Sequence, residues 1–417
     1  MKKISIEGGQ RLNGKIEVSG MKNSALPIIF SCLLVDGECI LENVPVVSDV
    51  ENALAILRHL GAVAEFVDDH TVKIDTRNAV GANLNIDLIS KMRASSYLIS
   101  TCLVRFGEVH MPYPGGCNFG SRPIEQHIKG IKKLGARGYA SNDFIDFKQK
   151  KKLKSSKIRL DKISVGATIN MIMSTVLLDG ESIIENVAKE PHVIDLICFL
   201  NSCGADILHM GTYIKIKGVK ALRGIKYRIY SDTIEALTFL TCVGATGGKL
   251  TLENVELENI RNVTSILERM NMEISYFSNK IEVISEKLKG TSLITSPYPG
   301  FPTDIHPQFS SLLCYCDGGG EITETIFSGR FAYAYELEKM GAKLVRKGNT
   351  IRVFESQLHG ASLDATDLRA GAALIVASLG AEGKSVINNV NYIVRGYENL
   401  PCKLASVGAN IKLIQGE

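Results

Sequence analysis

Leu41-Glu42-Asn43-Val44 and, a helix-length further on, Leu60-Gly61-Ala62 are two phrases that recur along this chain and decide its fold. The first returns as Ile184-Glu185-Asn186-Val187, Leu252-Glu253-Asn254-Val255 and Ile387-Asn388-Asn389-Val390, at intervals of about 68 residues or twice that. The second returns as Leu134-Gly135-Ala136, Cys203-Gly204-Ala205, Met340-Gly341-Ala342 and Val407-Gly408-Ala409, with a degenerate copy at Met270-Asn271-Met272. Six copies of one α/β unit account for this spacing.

Each unit reads alike. Unit one has a first helix from Ser24 to Leu34, a turn at Asp36-Gly37 and a strand from Cys39 to Val44. A second helix is expected from Ser48-Asp49-Val50-Glu51, which has capping-box spacing, to Gly61, the residue type suited to the left-handed position past a helix end. Two short strands follow, Ala64–Val67 and Thr71–Ile74. In unit three the second helix starts at Glu190-Pro191, and proline suits a first helical turn. One such unit cannot bury its own apolar face, so the units must pack together, most naturally as two groups of three.

The 417 residues are 45% hydrophobic and 22% charged, a globular composition. A net charge of +4 is too small to argue for nucleic acid as a partner, and the basic run from Lys148 to Lys157 reads as a solvated hairpin tip. Met1 to Glu7 alternates like a strand and lacks a signal-peptide core. The most apolar stretch, Ala25 to Val35, is too short to span a bilayer. The chain is therefore expected to be soluble and cytoplasmic, with no membrane partner. Ten cysteines without a C-x-x-C pair give no zinc pattern, so no metal is expected. Apart from Cys117 they read as small buried apolar residues.

Aligning the units places one charged residue just before each first helix: Lys22, Arg93, Lys162, Asp232, Asp304 and Asp367, about 63 to 72 residues apart. Helix capping explains an aspartate there. It does not explain a cation, which opposes the helix dipole unless an anion binds at that end. If the two groups of three face each other, these ends suit an anionic substrate with a carboxylate available as base.

Unit two replaces the Glu-Asn-Val phrase with Pro112-Tyr113-Pro114-Gly115-Gly116-Cys117-Asn118-Phe119-Gly120-Ser121-Arg122-Pro123. Three glycines and three prolines in twelve residues exclude continuous helix or strand. Cys117 is followed by Arg122 and His127, and positive neighbours favour the reactive thiolate.

The chain resembles the UDP-N-acetylglucosamine enolpyruvyl transferase family from Gly8-Gly9 to Ile411-Lys412. The resemblance rests on Ser19-Gly20-Met21-Lys22-Asn23-Ser24-Ala25-Leu26-Pro27, Met92-Arg93-Ala94-Ser95, Pro114-Gly115-Gly116-Cys117 and Ser164-Val165-Gly166-Ala167-Thr168. It continues in Phe301-Pro302-Thr303-Asp304, Thr366-Asp367-Leu368-Arg369-Ala370 and Arg395-Gly396-Tyr397-Glu398. It implies two inside-out α/β barrel domains, each of three βαβαββ-type repeats, with the active site between them. Domain one would take residues 1–20 plus 231–417, and domain two residues 21–230. The implied reaction moves the enolpyruvyl group of phosphoenolpyruvate to the 3′-hydroxyl of UDP-N-acetylglucosamine and releases phosphate, the first committed step of peptidoglycan synthesis, without metal or organic cofactor. Lys22, Arg122 and Arg395 would hold the phosphate and carboxylate of phosphoenolpyruvate, with Asn23 beside them. Cys117 would be the general acid toward its methylene carbon and the family's fosfomycin target. Asp304 would take the proton of the sugar hydroxyl, and Asp367 and Arg369 would organise the same place. Arg93, the segment Arg122, Pro123, Ile124, Glu125 and Gln126, the segment Lys162, Ile163, Ser164 and Val165, and Ile326 would contact the UDP-sugar.

The chain departs from the family pattern at Ile124-Glu125, His192, Ser231 with Thr233, and Ser328-Gly329, around sugar-nucleotide contacts rather than the residues of the chemical step. Two alternatives remain open. One is the related transferase acting on shikimate 3-phosphate, which lacks the Pro-Gly-Gly-Cys loop. The other is a non-catalytic paralogue that binds a UDP-sugar. A nucleotide kinase is set aside, because Leu250 follows Gly244-Ala245-Thr246-Gly247-Gly248-Lys249 where a phosphate loop needs Ser or Thr.

Overall fold

The computed structural model describes residues 2–81, 84, 86–115 and 124–415. They form two compact units, one built from the described residues of 1–19 and 231–417, the other from those within 20–230.

In each unit the first helices of three repeats pack together at the centre. In one unit these are Lys22–Ser31, Leu98–Phe106 and Val165–Thr175; in the other they are Thr233–Thr246, His306–Leu313 and Leu368–Gly380. They are buried nearly all round: every residue of His306–Leu313 is buried, and so is Leu368–Gly380 from Arg369 to Leu379. These helices have no solvent face, and the polar residues on them, such as His306, Gln308, Ser310 and Ser311, are hydrogen-bonded inside. The second helices are amphipathic instead. Ser48–His59 buries Asp49, Val50, Ala53, Leu54, Ile56 and Leu57 and exposes the opposite face.

The sheets lie outside these helices. Tyr213–Lys217 alternates between buried and more exposed residues, as expected of a strand with one face on the core. In repeat three Lys157–Arg159 runs parallel to Glu181–Glu185, which pairs antiparallel with Tyr213–Lys217, itself paired with Asp206–His209. The order is the expected βαβαββ unit, with helices inside and sheets outside. Some of the strands come from unexpected parts of the chain. Repeat one takes its parallel edge from Lys226–Arg228, and repeat four takes its edge from Leu12–Glu17. Repeat six is completed by Lys2–Glu7, inserted between Lys384–Asn388 and Asn410–Gln415.

The recurring phrases have a backbone cause. Asn43, Asn186, Asn254 and Asn389 all adopt positive φ, from 58° to 61°, which asparagine tolerates better than most side chains. The amides of Asn43, Asn186 and Asn254 then donate to carbonyls at the parallel edge, Ile229 at 2.8 Å, Leu160 at 2.9 Å and Val18 at 2.7 Å. The Gly-Ala phrase ends the second helix in the left-handed region, with Gly61 at φ 89°. In the degenerate repeat Asn271 takes that position at φ 76°.

Three local expectations fail. Ser48 is the first helical residue and Val47 the cap, with no side-chain cap bond; Asp49 is engaged elsewhere. The first helix becomes a 3-10 turn at Cys32–Leu34. The basic run 148–157 does not turn a hairpin. Phe144–Lys148 and Lys157–Arg159 belong to different sheets, and the run joins them. Its exposed Lys150, Lys151, Lys152 and Lys154, with Lys133 and Arg137, line a basic cavity of about 460 Å³ that none of the candidate residues enters.

Candidate active site

Asp304 is the centre of the constellation in the unit that contains 231–417. It lies in the 3-10 turn Thr303–Ile305 that leads into His306–Leu313. Its Oδ1 accepts from Arg330 Nη1 at 2.6 Å, and its Oδ2 accepts from Arg369 Nη2 at 2.9 Å and Nε at 3.3 Å. Burial alone would push this carboxyl up, but Arg369 and Arg330 outweigh it and hold it far below the usual carboxylate range. Arg369 also donates Nη1 to the Tyr397 hydroxyl at 3.2 Å, which is 2.9 Å from Thr238 Oγ1 and accepts Gln308 Nε2 at 3.0 Å. Asp367 caps the helix that carries Arg369, accepting from the Arg369 and Ala370 amides at 2.8 and 3.0 Å. Asp232 does the same for Thr233–Thr246, through the amides of Ile234 and Glu235. Both therefore serve as helix caps, and Asp304 does not. Arg395 is half-buried at the end of Asn391–Val394, two residues before Tyr397.

In the unit formed by 20–230, Lys22 is the first residue of its helix and lies half-buried beside Asn23. Its Nζ reaches Asp49 Oδ2 at 3.1 Å, so the anion at this helix start is a side chain of the same unit. Arg93 opens the 3-10 turn Arg93–Tyr97, donates Nη1 to the Pro114 carbonyl at 3.4 Å and lies over the Tyr113 ring. It thus grips the described stem of the loop that leads to Cys117. Gly115 packs so tightly on Ser90 that a Cβ there would lie 1.7 Å from the Ser90 carbonyl oxygen. Gln126 Oε1 accepts from the Lys162 amide at 3.1 Å, which brings the segments 124–126 and 162–165 together. Lys162 and Ile163 are exposed, and the cap of the following helix is Ser164, whose Oγ accepts from the Ala167 amide at 3.3 Å. Ile124 is buried, Glu125 exposed and Val165 half-buried. Cys117, Arg122 and Pro123 lie outside the described residues.

Two expectations about cysteine change. His127 is buried, and desolvation first, then Arg93, pushes its pKa down to about 4. It is neutral at pH 7 and is no positive neighbour for a thiol. Cys402 is exposed and Cys198 half-buried, so they are not buried filler; the other described cysteines are. Among the described residues no group of His, Cys, Asp and Glu is arranged to hold a metal ion, and no helix is long and apolar enough to cross a membrane.

The model of the EPSP synthase (3-phosphoshikimate 1-carboxyvinyltransferase) family matches residues 6–404. The UDP-N-acetylglucosamine 1-carboxyvinyltransferases of Pseudoalteromonas atlantica and Halothermothrix orenii are 40% and 41% identical to this chain, each over 100% of both chains. The relative from Caldanaerobacter subterraneus, named UDP-N-acetylglucosamine 1-carboxyvinyltransferase 3, is 42% identical over 99% of both. This chain belongs to the UDP-N-acetylglucosamine 1-carboxyvinyltransferase family. The enolpyruvyl transferase NikO of Streptomyces tendae superposes with a TM-score of 0.90 at 23% identity, covering 100% of this chain and 99% of that one. An EPSP synthase of Acinetobacter baumannii gives 0.80 at 18% identity over 100% of both. Both have the same fold, the enolpyruvyl transferase fold.

Within this carboxyvinyltransferase the sequence pointed to Asp304 and Lys22 but missed three groups: Arg330, which holds Asp304, Glu324, which holds the residues flanking it, and Asp49, which pairs with Lys22. Arg330 stands in Ser328-Gly329-Arg330-Phe331, where the departures drew attention to its neighbours instead. Glu324 follows a strand and had no signal beyond its charge. Asp49 was hidden inside an apparent capping box. The phosphate-loop lookalike ends the helix Thr233–Thr246 and starts the strand Gly248–Glu253, the reverse of a strand–loop–helix order.

Proposed function

We propose that this enzyme transfers the enolpyruvyl group of phosphoenolpyruvate to the 3′-hydroxyl of UDP-N-acetylglucosamine with release of phosphate, as the first committed step of peptidoglycan synthesis in the cytoplasm. The observation that carries this is the Asp304 carboxylate gripped by Arg330 and Arg369, in a chain of that family. In the proposed reaction the sugar hydroxyl oxygen bonds to C2 of phosphoenolpyruvate. Its proton goes to Asp304, and the methylene carbon takes a proton from Cys117. The C2–O bond to phosphate then breaks, the phosphate leaving with the proton held by Asp304, and the new methyl group returns a proton to the Cys117 thiolate to restore the double bond. No metal or organic cofactor enters these steps.

Lys22, Arg122 and Arg395, with Asn23, would hold the phosphate and carboxylate of phosphoenolpyruvate, groups that cationic donors suit. Arg93, Arg122 to Gln126, Lys162 to Val165 and Ile326 would take the UDP-sugar. Asp304 is fully ionised before substrate arrives but is a weak base while both arginines hold it. A doubly anionic substrate competing for Arg330 and Arg369 would raise its proton affinity, coupling base strength to substrate binding.

The test is phosphate release from phosphoenolpyruvate with UDP-N-acetylglucosamine or shikimate 3-phosphate as acceptor, for wild type and Cys117→Ala. Release is expected with the UDP-sugar alone, and at least about 100-fold slower in Cys117→Ala. Release with shikimate 3-phosphate, or none with either acceptor, contradicts the assignment. Equal rates in the two proteins contradict the role of Cys117.

A further inference from the structure

We propose that His306, held between Glu324 and Tyr333, is a positioning residue that acts through Asp304 in the transfer reaction. The inference rests on the function proposed above and adds a group that touches no substrate.

Glu324 is buried and collects five donors on one carboxylate. Its Oε1 accepts from Thr295 Oγ1 at 2.9 Å and from the amides of Ile326 and Phe327 at 2.7 and 3.0 Å. Its Oε2 accepts from Thr303 Oγ1 at 2.7 Å and pairs with His306 Nδ1 at 3.0 Å. Thr303 and His306 bracket Asp304 in the chain. Ile326 and Phe327 begin the turn that delivers Arg330. Arg330 Nη1 also donates to Thr303 Oγ1 at 3.0 Å, beside its bond to Asp304. One buried carboxylate therefore sets both the segment that carries the proposed base and the guanidinium that holds it.

His306 completes the clamp. It is fully buried, and its Nε2 lies 2.9 Å from the Tyr333 hydroxyl, which is 2.7 Å from Ser310 Oγ. The rings of Phe331 and Tyr333 stand edge-on to the imidazole at 5.2 and 5.6 Å. Burial would raise the Glu324 carboxyl, yet His306, Thr303 and the two amides bring it down to about 2. Desolvation holds His306 below the usual histidine range despite that carboxylate. An ionised Glu324 can only accept, so Nδ1 carries the imidazole proton and donates to it. Nε2 then accepts from Tyr333, and both ring nitrogens are fixed by buried partners. The ring cannot turn without breaking one of them, and Asp304 lies two residues away on the same turn.

A satisfied core histidine could have the same contacts without touching the chemistry, and a double-mutant cycle separates the two. Phosphate release would be measured with phosphoenolpyruvate and UDP-N-acetylglucosamine for wild type, Tyr333→Phe and His306→Leu. Both substitutions would be repeated in an Asp304→Asn background, with thermal melts of every protein. Positioning predicts that kcat falls about 10- to 100-fold in His306→Leu, the cost typical of a small misplacement of a reacting group, with both KM values within about threefold. Tyr333→Phe, which removes one hydroxyl and keeps the ring, should fall about threefold or more. In the Asp304→Asn background both losses should shrink below about twofold, because the residue they act through is gone. Folded variants with wild-type kcat, or the same fold-loss in both backgrounds, overturn the inference alone. A wild type that releases no phosphate overturns the functional assignment and this inference with it.

Discussion

Asp304 shows how two neighbours set the chemistry of one carboxylate. Arg330 and Arg369 keep it ionised against burial, so removing one cation must raise its pKa. Arg330→Met should move the acid limb of the kcat profile upward by about one pH unit or more; an unmoved limb would mean that another group titrates there. Glu324 makes a prediction about stability. Its folded pKa of about 2 lies below the ordinary 4.5, so the unfolded chain binds more protons between those values. The stabilisation it contributes is complete above about pH 4.5 and is lost as pH falls toward 2. Glu324→Gln should therefore flatten the acid limb of stability measured by urea unfolding between those pH values, and an unchanged slope would contradict it. Asp304 and Arg369 were legible in the sequence because they stand in motifs with fixed neighbours. Arg330, Glu324 and His306 were not, because their importance comes from contacts across more than 15 residues of chain. His127 was misjudged for the same reason: its sequence neighbours suggested a cation, and burial makes it neutral.

At the scale of elements, the repeat was readable because it marks backbone geometry rather than chemistry. Each Asn of the Glu-Asn-Val phrase combines a left-handed φ with an amide that only a short polar side chain supplies. Asn254→Ala should destabilise its unit by about 1–3 kcal/mol, losing both the tolerated φ and the bond to the Val18 carbonyl. Asn254→Gly should cost less, since it loses only the bond. Equal costs in denaturant melts would mean that the φ is not what selects asparagine here. The failures also have physical causes. Ser48 has capping-box spacing, but the helix starts one residue earlier than the pattern assumes, and Asp49 pairs with Lys22 instead of serving its own helix. The 148–157 run looked like a hairpin tip because strands flank it, and no local signal shows that those strands enter different sheets.

At the scale of the whole molecule, the order of repeats along the chain differs from the way they close. The first strands of the chain complete repeats four and six, and Lys226–Arg228 completes repeat one. Pairing of strands this far apart in sequence leaves no trace in periodicity, which is why the number of units could be counted but their closure could not. Deleting residues 2–17 should leave the unit of 231–417 with two opened sheets. The shortened chain should lose its cooperative melt, whereas a full-strength transition would show that these strands are dispensable. The family assignment concerns the whole chain as well, and its central claim is a group transfer rather than a hydrolysis. The measurement that tests it most directly is the structure of the product formed from phosphoenolpyruvate and UDP-N-acetylglucosamine, read by NMR and mass spectrometry alongside released phosphate. The account predicts an enolpyruvyl ether at the 3′-oxygen of the sugar, with one phosphate released per ether formed. Phosphate accompanied by free pyruvate and an unchanged UDP-sugar would contradict it.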